Sequence, residues 1–272
     1  MKSKKKIFLV SSIIVSIVLI FISLFIFIYP TVNQEICKNR SVDEIFVKNQ
    51  DEIAGATVGI VTCTKLESRE SYSVNSSGVI FDKIDNIYYC LTAYHVVSDV
   101  EGEDRSWLIQ TRNIPTRSEY QEQKGTYVSN DEYYSLFYEL QVEYYDEECD
   151  LAIVSFKCNE ELNYLEISSE NAVKGENILL VRADGFEIDN WHAGYIQSNK
   201  YIDFDAHDGR KNNRVIKHNA YTTPGSSGAA IINRKLEIVG INIGGATDAF
   251  GRYKYGVMIP SEDISEFIDN WK

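Results

Sequence analysis

From Ile7 to Tyr29 the chain runs for 23 residues without a charge, its polarity broken only by serines. A helix of that length, at about 1.5 Å rise per residue, reaches roughly 35 Å and crosses a bilayer core of about 30 Å with some tilt. Beyond it the hydrophobic pattern turns from continuous to alternating. The clearest case is Tyr134, Leu136, Tyr138, Leu140, Val142 and Tyr144 on one face, with Ser135, Glu139, Gln141 and Glu143 between them. That period of two predicts a half-buried antiparallel strand. Shorter apolar runs predict further strands at Ala56–Thr62, Ser77–Phe81, Ile87–Thr92, Trp107–Thr111, Leu151–Phe156, Asn177–Val181, Ala193–Ser198, Ala229–Ile232, Ile238–Ile243 and Tyr255–Ile259. Many short strands between polar turns, with little helical periodicity, indicate an all-β barrel or sandwich. One helix is expected at the end, capped by Ser261, with Glu262 and Asp263 at its positive N-terminus. Ile264, Phe267, Ile268 and Trp271 form its apolar stripe, expected to pack on the β body.

Charge adds an orientation. Lys2, Lys4, Lys5 and Lys6 precede the apolar run, and no basic residue follows until Lys38. The positive-inside bias puts the N-terminus in the cytoplasm and the remainder outside. A cleaved signal peptide is the competing reading, but its apolar region is usually about 7–15 residues and ends in a small-residue cleavage site. Tyr29-Pro30-Thr31-Val32-Asn33 offers none. The expected organisation is a cytoplasmic tail (1–6), a transmembrane signal anchor (7–29), a stalk (30–50) and one globular domain (51–272). The whole chain carries −13, and the part from Pro30 onward has 23 basic against 40 acidic residues, or −17. Such a field repels nucleic acid and anionic lipid surfaces, so nucleic acid is excluded as a partner.

The five cysteines, Cys37, Cys63, Cys90, Cys149 and Cys158, all follow the span, where disulfides persist if the orientation holds. The odd count leaves at least one unpaired, and no pairing follows from spacing. Cys63, Cys90 and Cys158 sit in or beside apolar strand patterns and read as small buried hydrophobes. His192, His207 and His218 share no metal-ligand spacing, and no cofactor is implied. Arg210, Lys211 and Arg214 read as a solvated basic loop, and Gly244-Gly245 lacks the strand–turn–helix context of a dinucleotide site.

Three segments carry chemistry. Leu91-Thr92-Ala93-Tyr94-His95-Val96-Val97 ends an apolar strand in a histidine, and Cys149-Asp150-Leu151-Ala152-Ile153-Val154 opens one with an aspartate. Thr223-Pro224-Gly225-Ser226-Ser227-Gly228-Ala229 sets a serine in a tight glycine turn. Singly, each is an ordinary structural feature. Together they supply the roles of acyl transfer: a hydroxyl nucleophile, a base titrating near neutrality, and a carboxylate that fixes the base's tautomer. Gly225 allows the turn by which its own N–H and that of Ser227 face a developing oxyanion.

At these residues the chain resembles the trypsin-like (chymotrypsin-fold) serine proteases, and within them the bacterial HtrA/Deg-like branch. Thr-Ala-x-His-Val-Val, Asp-Leu-Ala-Ile-Val and Pro-Gly-Ser-Ser-Gly resemble its three motifs in the family's order. The resemblance implies His95 as general base, Asp150 as its partner, Ser227 rather than Ser226 as nucleophile, and Gly225 and Ser227 as the oxyanion hole. It extends to His218–Thr222 before the serine loop and to Ile238–Asn242 and Gly256–Ser261 after it. It implies two six-stranded antiparallel β-barrels with a C-terminal helix, here preceded by one transmembrane helix. Tyr221, Thr222 and Asn242 are implied to line the primary specificity pocket, with Gly244 and Gly245 on its rim. Departures matter too. Ala229-Ala230 replaces the usual Gly-Pro or Ser-Pro. Ser226 replaces the aspartate that pairs with a freed N-terminus in digestive enzymes. No aspartate is expected at the pocket base, Asn242 replaces the histidine of glutamate-specific relatives, and no peptide-binding PDZ module is expected after Lys272. The implied function is a serine endopeptidase acting on proteins or peptides, with no cofactor, anchored in the cell membrane with its catalytic domain outside the cytoplasm. Two rivals stand beside it: a protease-fold binding or regulatory module of weak turnover, and an esterase. The esterase lacks the Gly-x-Ser-x-Gly elbow, because Ala229 occupies its last position.

Overall fold

A computed structural model of the chain describes residues 2–67, 69–184, 186, 190–206 and 209–272; His207 lies outside them. Helix α1 (Lys2–Lys38) opens the chain, followed by α2 (Glu44–Lys48) and α3 (Gln50–Gly55). Then come β1 (Thr57–Lys65), β2 (Glu70–Ile84), β3 (Ile87–Ala93) and β4 (Asp104–Gln110), with a 3₁₀ turn over Tyr94–Val96. The short α4 (Arg117–Lys124) and α5 (Asn130–Tyr134) precede β5 (Tyr138–Glu139), β6 (Gln141–Asp146) and β7 (Leu151–Lys157). The second half holds β8 (Asn177–Val181), β9 (His192–Asp205), β10 (Lys211–His218), β11 (Ala230–Ile232), β12 (Ile238–Thr247), β13 (Tyr253–Pro260) and α6 (Ser261–Trp271).

The chain is mostly β, in two sheets. β8–β13 close a six-stranded barrel in the order β10-β13-β12-β11-β8-β9. The first half is not a second six-stranded barrel but a seven-stranded sheet, β5-β4-β1-β2-β3-β7-β6, curled into a half-barrel so that Tyr138 of β5 meets Phe156 of β7 at 5.5 Å between ring centroids. One core runs through both, from Val79, Leu91 and Ile153 on the open sheet to Leu179, Ala230 and Ile241 in the barrel. This places the strand ends of one half against the turns of the other.

The Tyr134–Tyr144 alternation is not one strand. Tyr134 ends α5, whose N-cap Ser129 accepts from Glu132 N–H at 3.1 Å, and Tyr133 and Phe137 pack with Val61 and Val128 in a small separate core. After it β5 pairs with β4, and β6 with β7, so the alternating run turns a corner between two partners. Ser261 also differs from expectation. It is the first residue of α6, makes no capping bond, and donates its hydroxyl to Glu170 O at 3.2 Å. The α6 stripe does bury Ile264, Phe267 and Ile268, at about 2 kcal/mol each for removal from water. Trp271 packs on Tyr89 at 5.1 Å.

Helix α1 contains the one helix among the described residues that is long and apolar enough to cross a membrane, and its side chains from Ile13 to Tyr29 are exposed. It continues past Pro30 to Lys38, where Cys37 is buried against the body. Residues 30–50 are thus largely helical, and Phe46 of α2 joins the main core together with Ile53 of α3. All five cysteines are free thiols; four are buried and Cys149 is partly exposed.

Candidate active site

Pairing of β3 with β7 aligns Ala93 with Leu151, which brings the residues just beyond these strand ends together. His95 stands in the 3₁₀ turn after β3, and Asp150 immediately precedes β7. Asp150 adopts a left-handed backbone (φ 55°), uncommon for a non-glycine residue, and is 4% exposed. Its Oδ1 accepts the His95 backbone N–H at 2.9 Å, and its two oxygens lie 3.0 and 2.9 Å from His95 Nδ1. The Asp150 carbonyl also accepts from Tyr94 N–H at 3.1 Å. Carboxylate and backbone therefore both hold the histidine turn. An imidazole donating from Nδ1 to a buried carboxylate leaves Nε2 as a proton acceptor.

The serine turn comes from the other half, between β10 and β11. Gly225 and Gly228 take φ +96° and +75°, values an L side chain disfavours. A Cβ on Gly228 would lie 2.1 Å from Thr92 Oγ1 and 3.0 Å from Ala93 N, so this glycine lets the turn sit directly on the strand end that carries His95. Ser77 of β2 clamps the contact. Its N–H donates to Ser227 O and its hydroxyl to Gly225 O, both at 2.9 Å. Below the turn, buried Asn242 donates to Ser226 O at 2.7 Å and faces His218 Nε2 at 3.1 Å. Because the asparagine Oδ1 only accepts, His218 carries its proton on Nε2. Burial depresses the His218 pKa to about 4, which keeps the ring neutral at pH 7.

The two adjacent serines differ in environment. The Ser226 hydroxyl is buried and accepts from Thr223 N–H at 3.1 Å, whereas Ser227 is partly exposed and lines a cavity. Among the described residues, neither the Gly225 nor the Ser227 N–H has an intramolecular acceptor, and no hydrogen bond joins the Ser227 hydroxyl to His95. Two unpaired amides beside a hydroxyl form an arrangement that can receive an oxyanion.

The cavity next to Ser227, of about 480 Å³, is lined by Tyr221, Thr222, Asn242, Gly244 and Gly245, and also by Gln34, Thr247 and Tyr253. No charged side chain lines it among the described residues. His192 stacks edge-on against Tyr221 at 5.4 Å, and burial, with Arg182 and Lys38 nearby, lowers its pKa to about 4.

Three contacts here escaped the sequence reading. Arg210 does not belong to a solvated loop: its Nη1 donates to Asp150 Oδ2 and lies 2.7 Å from His95 Nδ1. Arg182 donates to Pro224 O at 3.1 Å and braces the serine turn. Gln34 reaches the cavity from α1. No motif marks these residues, since each acts through a partner distant in sequence.

A search of curated proteins found no match to the chain. A family model describing a trypsin-like peptidase domain matches residues 76–241, more than half of the chain, and takes in His95, Asp150 and Ser227. With its two β halves meeting at these residues, the chain belongs to the trypsin-like peptidase domain family.

Proposed function

We propose that this protein is a serine endopeptidase of the HtrA/Deg-like kind, held at a membrane by the Ile7–Tyr29 segment with its peptidase domain outside the cytoplasm. The observation that carries the reading is the buried Asp150 carboxylate on His95 Nδ1, opposite a glycine turn that presents Ser227 and two unpaired amides. In this reading His95 Nε2 takes the Ser227 proton as the hydroxyl attacks the scissile carbonyl, and the Gly225 and Ser227 amides hold the resulting oxyanion. The imidazolium, steadied by Asp150, returns the proton to the leaving amine, and water then releases the acyl group by the same route. Tyr221, Thr222 and Asn242 line the pocket for the side chain that precedes the scissile bond, with Gly244 and Gly245 at its rim. Full-length protein in detergent is expected to react with a fluorophosphonate and to hydrolyse peptides; absence of both would reject the function. Protease added to spheroplasts is expected to digest the domain after residue 30 and spare the N-terminus. A protected domain would reverse the orientation.

One observation favours the second reading, a protease-fold module of weak turnover. Arg210 donates to Asp150 Oδ2, so its guanidinium competes with the His95 imidazole for the carboxylate that is to orient it. Arg210→Gln is therefore expected to raise peptide turnover about fivefold. A fall in turnover would instead make Arg210 a support of Asp150.

A further inference from the structure

Helix α1 does not stop where its apolar span ends. Pro30 has no backbone N–H, so the Ile26 carbonyl loses its helical donor. The guanidinium of Arg252 occupies the place, donating to Ile26 O at 3.3 Å and to Phe27 O at 2.7 Å. Phe250, in the same turn as Arg252, packs its ring 5.3 Å from that of Phe27. About two turns further along the helix, the Tyr253 backbone N–H donates to Gln34 Oε1 at 3.1 Å, and Gln34 Nε2 donates to the Tyr221 hydroxyl at 3.4 Å. Cys37 is buried, and Arg40 lies over the Tyr195 ring at 5.0 Å. The helix is docked along its outer end, and Gln34 lines the cavity that Ser227 shares with Tyr221 and Thr222.

We propose that Gln34, supplied by the helix that carries the apolar span, is a specificity-determining residue of the primary pocket. The anchor then forms a wall of the site that selects substrate. This rests on the serine-endopeptidase reading above. Gln34 offers the cavity a neutral amide among hydroxyls and glycines, and a buried charge without a partner is strongly disfavoured. The pocket therefore selects an uncharged side chain before the scissile bond, and the charge at position 34 decides this.

The test uses the full chain in detergent micelles, profiled on peptides that differ only at the residue before the scissile bond, with fluorophosphonate labelling in parallel. Gln34→Glu keeps shape and both contacts, since a carboxylate accepts from Tyr253 N–H and from the Tyr221 hydroxyl alike. It is expected to raise kcat/KM for Lys and Arg peptides about tenfold relative to neutral ones. Gln34→Ala is expected to shift preference toward larger neutral side chains without favouring basic ones. Labelling of both variants shows that they are folded with a reactive serine. A profile that keeps its wild-type ratios in both, or a uniform slowing across all peptides, overturns the proposal and leaves Gln34 a docking contact. Absence of labelling in the wild type removes the nucleophile itself, and the inference with it.

Discussion

Ser227→Ala is expected to abolish fluorophosphonate labelling and to lower peptide turnover by about 10⁶-fold, with the fold unchanged. The size follows from how such groups act: a base without its nucleophile and a nucleophile without its base are each almost inert, so one deletion removes the effect of the set. Residual hydrolysis would come from binding and from the Gly225 and Ser227 amides, which the substitution leaves in place. The neighbouring residue provides the internal control. Ser226 Oγ accepts the Thr223 N–H in a buried setting, so Ser226→Ala leaves that donor unpaired and costs about 1–3 kcal/mol of stability. Its activity should stay within about tenfold of wild type. Labelling lost in Ser226→Ala but kept in Ser227→Ala would exchange the two assignments.

The second large effect concerns Asp150. Asp150→Asn keeps shape and burial but replaces an acceptor with an amide that can donate to His95 Nδ1. The ring is then held in the tautomer whose Nε2 already carries a proton, and it no longer takes one from Ser227. Turnover at neutral pH is expected to fall on the order of 10⁴-fold, about 5 kcal/mol of barrier, while the Tm moves by only a few degrees. A residue that merely shaped the turn would show the reverse, about 1 kcal/mol of stability and almost no activity. The turn role already belongs to Asp146, whose Oδ1 accepts the Cys149 N–H at 3.0 Å. Turnover within tenfold of wild type would remove Asp150 from the proposed triad.

Features held by near neighbours in the chain were legible in the amino-acid sequence. The apolar span of α1 is a matter of length without charge, and the buried face of α6 follows from a stripe over a few turns. One apolar run that could hardly be other than a strand leads into His95 and another begins just after Asp150, and the glycines around Ser227 mark the turn whatever surrounds it. Where the reading failed, the deciding partner lay elsewhere. The Tyr134–Tyr144 alternation broke because Tyr133 and Phe137 found a pocket beside Val61 and Val128, outweighing strand periodicity. Phe46 and Ile53 sit in helices of five and six residues, too short to show a period, and become core only because the β body covers them. Ser261 had the right type for a cap, yet its hydroxyl is drawn to the Glu170 carbonyl of a distant loop.

The same division runs through the candidate site. Its motif residues were visible, whereas the groups that surround them were set by packing. Arg210 is 60 residues from Asp150 and 115 from His95, and Gln34 is 219 residues from Tyr253. A single arginine or glutamine has no pattern to announce it, and its long side chain is solvated by default wherever a sequence is read alone. Only the closing of the β-barrel against the curled sheet, and the docking of a helix whose carbonyl was freed by Pro30, bring these groups within hydrogen-bonding reach of the residues they act on.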